Sequence, residues 1–341
     1  MATRALDKSG RVGAVIGVLV AALLTGCGAD GAPAAAPSAQ QTGPAPAAFP
    51  VTVTHKYGST EIRQAPSRVV TLGLSDQDIV LALGIKPVGV VDWFGERPFG
   101  KWPWAQPRWG DSKPEIVGER DDYQVEKIAA LRPDLIIAQY SGMKREQYQT
   151  LSKLAPVVAQ PTGADDYAAT WQVMTRQVGL ALGQSRQAAD LITGIDKRFA
   201  QARSDHPEFA GKTVAVVDPY EPGKYAIFAP HDPKVVFLTQ LGFRVPDPIT
   251  KAAGDQYAAE ISSERLDLID VDRVLFLTSD AAAEPRVKAD KVFSRLGVAK
   301  AGHALFLPYE DPPIGAALSF STVLSLPYAI DQVVSRLTAI G

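Results

Sequence analysis

From residue 68 onward, short runs rich in Val, Ile and Leu alternate with stretches whose apolar residues recur at helical spacing, and this alternation constrains the fold more than any other feature. Strand, helix and strand in succession pack back on themselves in few ways; the recurring solution is a parallel sheet with helices on its faces. In the first half the pattern predicts strands over 69–72, 88–91, 135–138 and 157–159, with helices over 76–83, 123–131 and 145–154. The second half repeats it, with strands over 213–217, 274–277 and 305–307 and helices over 234–241, 263–269, 291–296 and 318–337. Between the halves, 171–182 and 184–203 read as two helices with no strand between them. In the second of these, Ala188, Leu191, Ile192, Ile195, Phe199 and Ala202 form one apolar stripe along about 30 Å. Such a helix can bridge two lobes or serve as a crossover within one larger α/β domain, and periodicity alone admits both.

The chain before residue 51 cannot contribute to that core. Arg4, Lys8 and Arg11 precede an apolar, glycine-containing run over 12–24, too short to span a bilayer comfortably, and the run closes on Leu24, Thr25, Gly26 and Cys27. This ending resembles the lipobox of bacterial lipoproteins, which implies lipidation of the Cys27 sulfur and cleavage just before it. An ordinary secretory signal with an incidental cysteine has the same three-part logic. Residues 28–50 are almost entirely Ala, Pro, Gly and small polar residues, a composition that buries nothing and behaves as a tether reaching roughly 25 Å. The expected organisation is a signal peptide at 1–26, lipidated Cys27 and linker over 27–50, an N-terminal lobe over 51–183, an inter-lobe helix over 184–205 and a C-terminal lobe over 206–341.

Cys27 is the only cysteine, so no intramolecular disulfide exists and packing alone must hold residues 51–341, a length that usually divides into two domains. The net charge is −2, and removal of the signal takes three basic residues against Asp7 alone, leaving no basic surplus for nucleic acid. Catalytic motifs fail on inspection. The phrase GLSDQ at 73–77 opens like a nucleophile elbow but ends in Gln77 instead of glycine, with no partner histidine indicated. GKT at 211–213 lacks the first glycine of a phosphate loop, where His206 stands, and runs from helix into strand. His55, His206, His231 and His303 are scattered without metal-ligand spacing.

An ordered set of phrases carries a resemblance: APSRVV at 65–70, ALGIKPVGV at 82–90, EKIAALRPDLI at 126–136, LSKLAPVV at 151–158, ISSERL at 261–266 and LSFSTVLSLPY at 318–328. Together they resemble the iron-siderophore and vitamin B12 branch of the substrate-binding proteins that serve ABC importers. The resemblance implies an α/β fold of two Rossmann-like lobes with mostly parallel sheets, joined by one rigid helix, with the ligand held in the cleft between them. It further implies a monomeric, lipid-anchored protein on the extracytoplasmic face that captures a ferric siderophore and delivers it to a permease, with no catalysis, no cofactor and no metal site of its own. Haem or a corrinoid remains open as ligand within the same fold, and a non-transport sensor or adhesin remains open outside it.

Ligands of open α/β sheets sit where loops leave the carboxyl ends of the strands. Residues 92–110 carry Trp93, Phe94, Phe99, Trp102, Trp104 and Trp109 beside Arg97, Lys101 and Arg108. Rigid rings near guanidinium groups suit a bulky anionic chelate, although aromatics under a long loop also form its private core. Trp93 is the cleft candidate among them. Arg120, in VGER at 117–120, matches a ligand-binding arginine of ferric-hydroxamate-binding relatives, and Tyr140, after the 135–138 strand, resembles a cleft tyrosine of the same proteins. Tyr220, Tyr225 and His231 occupy the corresponding loops of the second half, with Tyr257 ahead of ISSERL and Phe320 at the last helix. A tyrosine at a strand end is as often a satisfied surface ring. His231 or a cleft tyrosine would ligate iron if the ligand were haem. Glu126 and Glu264 hold equivalent places in the two halves, where the family meets permease arginines; an acid in a first helical turn is also favoured by the helix dipole alone.

Overall fold

The structure is a computed structural model that describes residues 49–93 and 102–341. Cys27, the linker to residue 48, Phe94, Arg97, Phe99 and Lys101 lie outside the described residues.

The chain enters through an antiparallel hairpin, β1 (Val51–His55) and β2 (Gly58–Ile62). The N-terminal lobe then lays down β3 (Val69–Thr71), α1 (Asp76–Ala82), β4 (Gly89–Asp92), α2 (Gln106–Trp109) and β5 (Glu115–Glu119). It continues with β6 (Asp122–Tyr123), α3 (Val125–Ala130), β7 (Leu135–Ala138), α4 (Arg145–Leu151), β8 (Val157–Ala159) and α5 (Trp171–Ala181). Its six-stranded sheet runs β6-β5-β4-β3-β7-β8 and is parallel except at the β5–β6 edge. β3, β7 and β8 are buried on both faces, which is why they read as unbroken apolar runs.

The helix expected over 184–203 is α6 (Ser185–Asp205), and Ala188, Ile192, Ile195, Phe199 and Ala202 of its stripe are buried. Its approach to α5 depends on Gly179, where an added Cβ would come within 2.3 Å of the Ala188 Cβ. The C-terminal lobe contains β9 (Val214–Glu221), β10 (Lys224–Phe228), α7 (Pro233–Gln240), α8 (Asp247–Ala253), β11 (Ala258–Ser262) and β12 (Arg273–Thr278). It ends with α9 (Ala283–Ala289), α10 (Gly297–Lys300), β13 (Ala304–Pro308), α11 (Ile314–Phe320) and α12 (Ser325–Ala339). Its sheet runs β11-β10-β9-β12-β13, parallel from β9 to β13 and antiparallel from β9 to β11.

Strand parity divides the core. Val69, Leu135 and Ile137 of the first sheet and Val214, Val216 and Leu275 of the second belong to one continuous cluster that also takes in Ile195 and Phe199 of α6. The alternate residues face outward into separate clusters, one around Val70 and Ile136 and one around Val217 and Phe276. The long helix thus packs into a core that both sheets share.

Three expectations need correction. The helix expected over 291–296 is a 3₁₀ turn at Phe293–Arg295, with α10 starting only at Gly297. The helix expected over 318–337 is two helices, because Ser321 sits in the left-handed region at φ +45° and ends α11. Thr322 and Ser325 then exchange hydrogen bonds, each hydroxyl accepting the other's amide, to open α12. Residues 263–269 form a 3₁₀ segment kinked at Arg265 in place of an α-helix. At that same α11–α12 turn a polar knot joins the halves of the chain: fully buried Asp78 of α1 accepts from the Trp104 indole at 3.1 Å and the Thr322 hydroxyl at 2.6 Å.

Candidate ligand cleft

A cavity of about 250 Å³ lies between the two sheets' carboxyl ends, walled by Tyr140, Tyr167 and Trp171 from the N-terminal half and His231, Tyr257 and Phe320 from the C-terminal half. Tyr140 is there because of α1. β7 ends at Ala138, and the Asp76 carboxylate accepts from the backbone amides of Gln139 at 2.8 Å, Tyr140 at 3.1 Å and Gly73 at 3.1 Å, fixing the turn that aims the ring. Complete burial pushes the Asp76 carboxyl up to about 6 in spite of those three donors. The GLSDQ phrase, rejected as a nucleophile elbow, is therefore a carboxylate-capped turn.

Burial, then the charges of Asp232 and Tyr257, push the Tyr140 phenol up to about 12, so it remains a neutral donor. Its hydroxyl has no hydrogen-bond partner among the described residues, which leaves it for a ligand. Tyr167 sits beside it with ring centres 5.9 Å apart, and its hydroxyl donates to Asp121. Trp93 meets Tyr167 edge-on at 5.4 Å, and the exposed Arg120 lays its guanidinium 5.3 Å from the Trp93 ring centre. A chain of stacked groups thus runs from Arg120 to the cavity, while Arg120 and Trp93 stand behind its wall and not in it. The Trp93 Nε1 donor is buried without a partner among the described residues. On the opposite side His231 and Tyr257 meet edge-on at 5.3 Å, with Tyr257 47% exposed, and Phe320 is buried against Trp102 at 5.4 Å.

Two expected cleft residues lie elsewhere. Tyr225 is 2% exposed on the far face of its sheet, because β10 alternates and sends Tyr225 and Ile227 into the outer cluster; its hydroxyl donates to Asp290 at 3.2 Å. Tyr220, at the end of β9, is half-buried and does not line the cavity. Trp102 and Trp104 stack on each other at 5.2 Å and, with Trp109, are buried in the core that both sheets share, so they are not a private core of their loop. Sequence reasoning missed Tyr167 and Trp171 of the cavity wall; Tyr309, just past β13, meets the wall residue Phe320 edge-on at 6.3 Å but does not itself line the cavity. Glu126 and Glu264 are exposed in the first turns of α3 and of the 3₁₀ segment, with no intramolecular partner for either carboxylate among the described residues. No group of three or more His, Cys, Asp or Glu is arranged to hold a metal among the described residues, and no helix there is long and apolar enough to cross a membrane.

A family model described as periplasmic binding protein matches residues 69–309. The chain belongs to that family. It is 30% identical over 268 residues to the probable siderophore-binding lipoprotein YfiY of Bacillus subtilis, covering 74% of this chain and 78% of the relative. A periplasmic solute binding protein of Mycobacterium smegmatis superposes with a TM-score of 0.76 at 33% identity, over 86% of this chain and 99% of that one. PiaA of Streptococcus pneumoniae in complex with ferrichrome gives 0.71 at 28% identity, over 85% and 98% of the two chains. The two-lobed α/β fold and the family read from the sequence phrases are those found. In such a binding protein the cavity between the lobes is the place to look for ligand, and Tyr140, His231, Tyr257 and Phe320 are the expected residues that the structure brings together there.

Proposed function

We propose that this chain captures a ferric siderophore outside the cytoplasmic membrane and delivers it to an ABC importer. The observation that carries the reading is the cavity itself, walled by rings from both halves of the chain, with the Tyr140 hydroxyl unpartnered among the described residues. Flat aromatic faces pack the organic shell of a chelate, while phenol and imidazole groups meet its polar edges. Iron travels as cargo inside the chelate, whose own oxygens hold it, so the protein needs no metal site and performs no catalytic step. The names of YfiY and of the ferrichrome complex support this class of ligand. Cys27 carries the lipid anchor, and the linker holds the monomeric binding fold near the bilayer. Glu126 and Glu264, one in each half, dock on the permease; such separated surface charges set orientation and association rate more than affinity.

Tryptophan emission of the fragment from residue 50, titrated with hydroxamate, catecholate and carboxylate ferric siderophores, haemin and cobalamin and checked by calorimetry, tests the ligand class. Saturable quenching by a ferric siderophore is expected, and silence to all five rejects the transport reading. Binding of haemin alone would redirect the reading to the His231–Tyr257 pair, whose adjacent rings include an imidazole. Replacing both Glu126 and Glu264 by Ala should leave ligand binding intact and abolish uptake in cells; normal uptake would reject the docking role.

A further inference from the structure

The turn between β5 and β6 does more than carry Arg120. Its next residue, Asp121, is the meeting point of three segments. One carboxylate oxygen accepts from the Gly142 amide and the Tyr123 hydroxyl, each at 3.0 Å, and the other accepts from the Tyr167 hydroxyl. Its carbonyl takes the Gln147 side chain at 2.6 Å, tying the turn to α4 as well. Tyr167 is held at φ +60°, a left-handed conformation uncommon for a non-glycine residue, so its surroundings must over-determine it. The approach is close enough that a Cβ on Gly142 would lie 2.7 Å from both the Asp121 carboxylate and the Tyr167 hydroxyl. From this anchored ring, contacts run to Trp93 at 5.4 Å and to Tyr140 at 5.9 Å.

We propose that Asp121 is a positioning residue for ligand recognition: by holding the Tyr167 hydroxyl it sets the angle of the ring that both walls the cavity and buttresses Tyr140 and Trp93. The inference rests on the cleft being the siderophore site. The Gly142 amide also reaches the Tyr167 hydroxyl, but that amide is itself held by Asp121, so loss of the Asp121 anchor frees the ring's polar end and the aromatic wall loses its fixed shape. Tyr123 supplies an internal control. It donates to the same carboxylate, but its ring is buried in the outer cluster with Val117, Ile128 and Met143, away from ligand.

The test compares Asp121→Asn, Tyr167→Phe, their combination and Tyr123→Phe in the full binding fold, with ferrichrome as probe. Asp121→Asn and Tyr167→Phe should each weaken binding about tenfold, the scale of one lost charge-assisted hydrogen bond, and the combination should be no weaker than the worse single variant. Tyr123→Phe should lower the melting temperature without moving Kd. In the ligand-free protein, Asp121→Asn and Tyr167→Phe should alter the near-ultraviolet circular dichroism of Trp93, read as the difference from the same variants carrying Trp93→Phe. Wild-type affinity in Tyr167→Phe, or affinity losses that follow melting temperature equally across all three single variants, would overturn the proposal. Should the wild-type protein bind neither ferrichrome nor any other ferric siderophore, the transport reading fails, and the ligand-free Trp93 signal still decides the positioning: a change in both variants supports it, and no change in either overturns it.

Discussion

The two walls of the cleft are held in different ways. On the N-terminal side, Tyr140 and Tyr167 are each fixed through a carboxylate, Asp76 gripping the backbone under one and Asp121 the hydroxyl of the other. On the C-terminal side Phe320 is buried, but His231 and Tyr257 are exposed and meet each other edge-on. The N-terminal rings are therefore tied down by hydrogen bonds, while the two exposed C-terminal rings are less constrained. Immobilising an exposed side chain costs about 0.5–1.5 kcal/mol, so equal contacts made by the two walls return unequal affinity.

The largest effect should come from the polar knot beneath the two walls. Asp78→Ala removes two buried hydrogen bonds, one joining α1 to Thr322 at the α11–α12 turn and one to the Trp104 indole, and leaves each donor with one acceptor fewer; a loss of about 3 kcal/mol is expected in urea unfolding. An unchanged midpoint would show that the knot contributes nothing. The same group gives a pH signature. Burial pushes the Asp78 carboxyl up to about 6, so the folded protein keeps this proton after the unfolded chain, with its ordinary carboxyl value, has released it. The stability tied to that proton is complete below the unfolded value and is lost as pH rises towards 6. Asp78→Asn carries no such proton, and the stability of the wild type relative to it should fall between pH 4 and 6.5. A relative stability that rises over this interval would contradict the burial effect.

Next in size, Tyr140→Ala should weaken siderophore binding by about 2 kcal/mol and Tyr257→Ala by about half as much, since only the second ring must be ordered on binding. Equal losses in calorimetry would erase the distinction between the walls. Tyr225→Phe should cost about 1 kcal/mol of stability through its bond to Asp290 and leave affinity untouched. The smallest change belongs to Arg120→Ala, about 0.5–1 kcal/mol of affinity, because the guanidinium acts through the Trp93 face. A loss of 3 kcal/mol there would mean that Arg120 grips the ligand directly.

How far the sequence could be read follows from how local each feature is. The parallel strands β3, β7 and β8 announce themselves because both faces are buried, and the α6 stripe because five of its six residues are buried in the shared core. β10 and β11 were missed: their KYAIF and AAEIS runs alternate weakly at a half-buried sheet edge. Tyr225 illustrates a harder limit, since which parity of a strand faces the cleft depends on what packs on each side. Tyr167 is harder still. It owes its place to a carboxylate 46 residues away and to a positive φ, and nothing in its own neighbourhood signals either. Tyr140, by contrast, lies two residues past a legible strand, and the structure places it in the cavity wall.

The account stands or falls on where the iron sits. An anomalous difference map collected above the iron edge from a crystal grown with ferrichrome should place one strong peak inside the cavity, between the Tyr140 and Tyr257 rings and in front of Tyr167. A peak elsewhere on the molecule, from a complex that is saturated in solution, would contradict it.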